Sequence, residues 1–277
     1  MQVLKTTMLI LLLGLAVIYA ALIGYIYAFQ RTLQYHPDPA MRSPESVGLD
    51  GFDTIALKSP DGESIIAWHK PAAMGRPTIL YFHGNAGSIS TRPRKIGYFG
   101  STDYGMLAVS YRGYGGSTGS PSEPGLVADA ETAYRWLTAN GVAADQILVL
   151  GESLGSGVAV QLAAKYPVRA LALEAPYSNA VDIGAARYWY LPVRFLMHDQ
   201  FRSSDHIAMV KAPLLVTHGV DDRLIPIEQG RKLFALAHEP KTFVEVPGGG
   251  HEIIGEEATW MMERAFFERV VNTPAAQ

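Results

Sequence analysis

Two serines in this chain stand in the pattern G-x-S-x-G: Ser117 between Gly115 and Gly119, and Ser153 between Gly151 and Gly155. Glycines flanking a serine let the backbone turn sharply and leave the hydroxyl uncrowded, which suits a nucleophile. Context separates the two. Ser153 follows the apolar run Ile147–Leu150 and opens a helical stretch ending at Lys165, so it reads as a nucleophile held between strand and helix. Ser117 is followed by Gly119, Pro121 and Pro124, which forbid a helix directly after it, and it reads as a loop serine.

A serine hydroxyl is a poor nucleophile at neutral pH and needs a base that is itself oriented by an acid. When the serine sits on a strand–turn–helix, the acid and then the histidine follow it along the chain. The histidines after Ser153 are His198, His206, His218, His238 and His251. His251 lies in Pro247-Gly-Gly-Gly-His251-Glu252, between the last predicted strand and the last predicted helix, and is the candidate base. For the acid, the run Leu214–Thr217 leads into His218-Gly-Val-Asp221-Asp222-Arg-Leu-Ile-Pro226. Spacing leaves Asp221 and Asp222 both open, beside the blander reading of a turn aspartate bonding its own backbone. A tetrahedral intermediate also needs amide donors aimed at its oxyanion. The expected donors are the backbone N–H groups of Leu154 and of Asn85, the latter in His83-Gly-Asn-Ala-Gly87 after a buried strand. His83 precedes the serine and reads as a structural histidine pinning that loop.

Positioning these groups requires a sheet. Short apolar runs at Phe52–Leu57, Ile65–Trp68, Thr78–Phe82, Met106–Ser110, Ile147–Leu150, Ala170–Leu173, Leu214–Thr217 and Thr242–Val246 read as strands, several of them buried on both faces. Helical patterns at Pro124–Thr138, Ser153–Lys165, Glu228–Ala237 and Glu256–Val270 alternate with them. That alternation predicts an α/β fold: a mostly parallel eight-stranded sheet with right-handed crossovers and helices on both faces. Residues 176–206 break the rhythm and are rich in aromatics, as expected of a small helical cap over the site. Tyr177, Tyr188, Trp189 and Phe195 are its candidate pocket residues.

At the amino terminus, Thr6–Phe29 carries no charged side chain. At 1.5 Å per residue this run spans roughly 36 Å, more than the roughly 30 Å of a hydrocarbon core and longer than the core of a cleaved signal. Tyr19, Tyr25 and Tyr27 crowd its second half, and Lys5 and Arg31 bracket it. The expected organisation is a transmembrane anchor at 1–30, a proline-rich linker at 31–50, a catalytic domain at 51–272 and a tail at 273–277. Basic residues on the two sides nearly balance. The expected orientation, that of an uncleaved signal-anchor, puts the amino terminus in the cytoplasm and the large domain on the non-cytoplasmic side.

Composition removes several classes. With 23 basic against 26 acidic residues there is no electrostatic reason to expect nucleic acid. The absence of cysteine excludes a disulfide scaffold, a thiol nucleophile and a cysteine-ligated metal. No G-x-x-x-x-G-K-[ST] or complete G-x-G-x-x-G is present. Serine chemistry of this kind requires no cofactor and no metal.

These residues reach a known family. HGNAGS (83–88), YRGYGGSTGSPSEPGLVAD (111–129), GESLGSG (151–157), HGVDDRLIP (218–226) and GGGHE (248–252) resemble the serine α/β-hydrolases, and within them the BEM46-like group of membrane-anchored hydrolases. The anchor followed by FQRTLQYHP (29–37) is similar to this group as well. The resemblance implies that the acid is the fifth residue of the H-G-x-x-D-x-x-x-P block, Asp222, and that His218 is structural. It also implies esterase, lipase-like or thioesterase chemistry. The expectation is a membrane-anchored serine hydrolase acting on a small acyl-ester or lipid-like substrate. A peptidase of the same fold and a non-catalytic interaction module stand as alternatives.

Overall fold

The apolar runs pair as strands because each presents side chains to two layers at once. In the computed structural model, which describes residues 1–273, β4 (Thr78–Phe82) shows the pattern. Its Ile79 and Tyr81 pack with Ile96, Phe99, Trp260 and Phe267, while Leu80 and Phe82 pack with Leu126, Val158 and Leu162. This period-two split places helices on both faces. Helices α3 (Glu123–Ala139), α4 (Leu154–Lys165) and α7 (Ile227–Leu236) cover one, and α2 (Pro93–Gly100) and α8 (Glu257–Asn272) the other. Every residue of β4, β6 (Gly105–Val109), β7 (Ile147–Glu152), β8 (Ala170–Glu174) and β9 (Leu214–Gly219) is buried, so these strands carry no polar alternation.

With β2 (Asp53–Lys58), β3 (Ser64–Lys70) and β10 (Lys241–Val246), they form an eight-stranded sheet of order β10-β9-β8-β7-β4-β6-β3-β2. All neighbours are parallel except β3, which runs antiparallel to both β2 and β6. The expected α/β architecture is the one observed. Two further strands of two residues each, β1 (His36–Pro37) and β5 (Ala86–Gly87), pair separately and bring the described strands to ten.

The strand order reverses around β4, with β6 on one side and β7 on the other. In open α/β sheets the crevice at such a switch point, beyond the carboxyl ends of the strands, is where ligands bind. The loops after β4 and β7 flank that point, and those after β9 and β10 leave the same carboxyl edge of the sheet.

The amino-terminal helix α1 spans Gln2–Gln34 and is long and apolar enough to cross a membrane. It continues four residues into the stretch expected as linker, because Gln30, Arg31 and Gln34 find partners on the segment after β8. That segment holds α5 (Ala180–Arg187) and the single turn α6 (Val193–Leu196). Apart from Thr273, the tail expected at 273–277 lies outside the described residues.

Candidate active site

Ser153 sits between the end of β7 and the start of α4 with φ 49° and ψ −114°, a left-handed conformation that costs energy in any residue but glycine. The surrounding glycines are required by close approach. A Cβ on Gly155 would stand 2.2 Å from the Phe82 carbonyl oxygen, and one on Gly151 would stand 2.6 Å from that of Gly155. The Ser153 amide is tied to the Glu174 carbonyl at 2.9 Å, which fixes the turn to the neighbouring strand.

His251 Nε2 lies 3.1 Å from Ser153 Oγ, and its Nδ1 lies 2.8 Å from Asp222 Oδ2. With the Nδ1 proton directed at the carboxylate, Nε2 is left free to accept the serine proton. The ring reaches this position because the β9 and β10 loops pack without side chains between them. A Cβ on Gly219 would stand 2.4 Å from the Gly249 carbonyl. Asp222 Oδ1 in turn accepts the amides of Leu224 and Ile225 at 2.8 and 2.9 Å. Burial alone would raise this carboxyl, but His251 and the two amides outweigh it and hold it below the usual carboxylate range. Asp221, its neighbour, is exposed, and its amide donates to the Gly249 carbonyl at 2.8 Å. Buried His218 bonds the Ile225 carbonyl through Nε2 at 2.8 Å, and burial lowers its pKa.

Leu154 opens α4, so its amide stands at the positive end of the helix. The other candidate donor belongs to the loop after β4. A Cβ on Gly84 would lie 3.5 Å from Ser153 Cβ, which sets this loop against the serine. The Asn85 side chain is held at both ends: Nδ2 donates to the Gln34 carbonyl at 2.7 Å, and Oδ1 accepts from Tyr114 Oη and the His36 amide. Among the described residues, neither the Asn85 nor the Leu154 amide donates to a protein acceptor. His83 is wholly buried, packs tilted against Tyr111 with centroids 4.5 Å apart and bonds the Gly84 carbonyl through Nδ1. Burial pushes its pKa down to about 4, so it is neutral at pH 7.

The aromatic candidates scatter. Tyr177 is in the core, its hydroxyl donating to the Leu154 carbonyl at 3.2 Å beneath the serine turn. Tyr188 lines a groove against α1, whereas Trp189 and Phe195 are 82% and 89% exposed. Ser117 is buried away from the triad; its Oγ donates to the Ser110 carbonyl and accepts the Ile66 amide.

Sequence reasoning missed a buried ionic cluster under the site. Glu152 accepts the Gly84 amide and Arg92 Nε on one oxygen, and Tyr81 Oη and Lys95 Nζ on the other. Lys95 also bonds Glu174, and Glu263 lies beside them. Burial would raise Glu152, but Lys95 and Arg92 outweigh it and keep it ionised. Glu263, buried and facing Glu174, is pushed well above the carboxylate range. The available signal was Glu152 itself, a carboxylate ending a continuous apolar strand, which burial obliges to find partners.

A model of the alpha/beta hydrolase fold matches residues 77–205. Protein bem46 of Schizosaccharomyces pombe is 32% identical over 282 residues, covering 95% of this chain and 94% of its own. The chain belongs to the α/β-hydrolase superfamily, in its BEM46-like group. An uncharacterized protein of Mycobacterium tuberculosis strain H37Rv is 38% identical over 239 residues, 85% of either chain. The lysophosphatidylserine lipase ABHD12 of Danio rerio is 29% identical over 77% of this chain and 64% of its own. Among solved structures, the Pyrococcus furiosus esterase Pf2001 superposes with a TM-score of 0.69 over 86% of this α/β hydrolase and 100% of the esterase, at 18% identity. The lipase relative supports hydrolase activity in this member of the superfamily, the esterase structure shares its fold, and its apolar amino-terminal helix fits a membrane protein.

Proposed function

We propose that this α/β hydrolase is a membrane-anchored serine hydrolase that cleaves acyl esters, carboxyl or thio, through Ser153, His251 and Asp222. The observation that carries the reading is the continuous relay from Ser153 Oγ through His251 to Asp222, at 3.1 and 2.8 Å. His251 takes the Ser153 proton as Oγ attacks the ester carbonyl, and the Asn85 and Leu154 amides receive the oxyanion. His251 then returns the proton to the leaving alcohol or thiol. Water, deprotonated by the same ring, attacks the acyl-enzyme, releases the acid and restores the serine. The ABHD12 relative, a lysophosphatidylserine lipase, supports an acyl ester as the bond.

A fluorophosphonate probe tests the assignment. Wild type and Ser117→Ala should both be labelled and Ser153→Ala should not; equal labelling of Ser153→Ala would overturn it. In this reading α1 is the anchor, residues 51–272 form the catalytic domain on the non-cytoplasmic side, and residues 176–206 form its cap. Protease added to intact spheroplasts should therefore degrade the domain, and full protection would reverse the orientation.

A further inference from the structure

The carboxyl-terminal half of α1 is laced to the segment holding α5 and α6. Tyr19 Oη donates to the Tyr190 carbonyl at 2.6 Å. Gln30 donates to the Leu196 carbonyl at 3.0 Å and accepts the His198 amide at 2.7 Å. Arg31 makes a two-pronged pair with Asp199, whose carbonyl also accepts from Gln34. Between these ties the two elements do not close. They leave a groove of about 490 Å³, lined by Ile23, Ile26 and Leu33 of α1 and by Ile183, Leu191 and Leu196 opposite.

We propose that this groove seats the acyl chain of a bilayer lipid and delivers that lipid's ester to Ser153. The proposal rests on the serine-hydrolase reading and adds the substrate class and its route. Four observations carry it. The groove is mostly apolar, its polar lining limited to Gln30, Gln34, Arg187 and tyrosines, and its volume falls within the roughly 300–1,000 Å³ of small-molecule sites. One wall is the helix long and apolar enough to span the bilayer, so Ile23 and Ile26 stand in the uncharged run while Leu33 and Gln34 stand beyond it. From Ile26 to Gln34 the helix climbs about 12 Å, which carries a chain from the hydrocarbon edge to the domain. At that end Gln34 lines the groove, and its carbonyl holds Asn85 of the candidate oxyanion loop at 2.7 Å.

The fourth observation is the rim. Tyr188, Trp189, Tyr190 and Phe195 are exposed large side chains on the segment facing α1, and Trp189 packs edge-on against Tyr190 with centroids 5.8 Å apart. Because Tyr19 ties Tyr190 to the uncharged run of α1, these rings stand beside the span, where their apolar faces meet lipid. A soluble ester has no need of a groove walled by a membrane helix and ringed by aromatics; a lipid lifted partly out of its leaflet does.

The test uses the full chain in phosphatidylcholine vesicles doped with a phosphatidylcholine bearing a diazirine at the end of one acyl chain. Irradiation should label the segment Leu191–Leu196 as well as α1. Ile26→Trp and Leu196→Trp each fill the groove and should cut the label on the other residues of that segment about fivefold, and lower the ratio of long-chain to acetyl ester turnover about tenfold. No label on Leu191–Leu196, a label unchanged in both tryptophan variants, or a cross-link there to a second copy of the chain would overturn the proposal. Ser153→Ala should keep the label, since seating the chain does not need the nucleophile. If the wild type resisted fluorophosphonate and hydrolysed no ester, the hydrolase reading would fall, while the label would still report on the groove by itself.

Discussion

Glu152 accepts the Gly84 amide at 2.9 Å, so the residue preceding the candidate nucleophile holds the loop that carries a candidate oxyanion donor. The same carboxylate is bonded by Arg92 and Lys95, which fixes α2 beneath both. Nucleophile turn, oxyanion loop and supporting helix are thus joined through one buried anion.

Replacing that anion by a neutral isostere tests the joint. Glu152→Gln leaves Lys95, 1% exposed, and Arg92 facing an amide where they had a charge. Breaking a buried pair on one side costs about 3–5 kcal/mol. Unfolding of the detergent-solubilised chain should show a loss near that range; a change below about 1 kcal/mol would mean that the cluster does not hold the fold together.

Glu263 in the same cluster gives the opposite sign. Its folded pKa is raised, so the stability it contributes is fully present below the unfolded value of about 4.3 and is lost as pH rises toward the folded value. Gln has no such proton to lose. Relative to wild type, Glu263→Gln should therefore gain stability with rising pH, more at pH 8 than at pH 5. Thermal midpoints at the two pH values decide it, and an equal difference at both would contradict a neutral Glu263.

The contrast between these residues and the triad shows what the sequence could carry. The five fully buried strands were legible because continuous apolar runs leave few other options, β2 and β10 were read from shorter mixed runs, and Ser153 stands out because strand, turn and helix are adjacent in sequence. Asp222 is singled out in the sequence only through family resemblance, since Asp221 beside it has the same chemistry, and it is the loop geometry that sets Asp222 against His251. Helix α2 went unread: eight residues with two glycines and two basic side chains give little periodicity, and Lys95 is buried only because Glu152 and Glu174 come from strands far along the chain. The extension of α1 to Gln34 depends likewise on partners more than 150 residues away. Tyr177 reads from sequence as a cap aromatic, yet it packs under the serine turn, because which way a side chain faces is decided by tertiary contacts.

Ser117 illustrates a serine whose neighbours preclude reactivity. Its hydroxyl accepts the Ile66 amide at 2.8 Å and donates to the Ser110 carbonyl at 2.7 Å, both in buried surroundings. Ser117→Ala strands the amide, and an unsatisfied buried donor costs about 1–3 kcal/mol. The variant should melt earlier than wild type while its folded fraction takes up fluorophosphonate at the wild-type rate. Slower labelling of that fraction would place Ser117 nearer the chemistry than its contacts do.

Asp222→Asn tests the acid of the relay. An amide presenting its NH₂ to Nδ1 favours the tautomer whose proton sits on Nε2, where it cannot accept from Ser153. The backbone bonds from Leu224 and Ile225 can persist on the remaining oxygen, so the loop should hold its shape. Turnover of a short ester should fall about 10⁴-fold, as for comparable triads. A loss below about tenfold would remove Asp222 from the relay and reopen Asp221.

Arg31 and Asp199 tie α1 to the segment facing it, with the carboxylate 1% exposed and the guanidinium half exposed. Arg31→Ala removes two charge-assisted hydrogen bonds and leaves a buried anion without its cation. Because water can still reach the guanidinium side, the cost falls at the lower end for such pairs, about 1–3 kcal/mol. That cost is felt first as local opening, since few other bonds hold this segment to α1. The His198 amide, which donates to Gln30 at 2.7 Å, reports the opening directly. Its hydrogen exchange should quicken about 10- to 100-fold in Arg31→Ala, while amides of β7 in the core keep their protection. Unchanged exchange at His198 would mean that the segment stays on α1 without this pair.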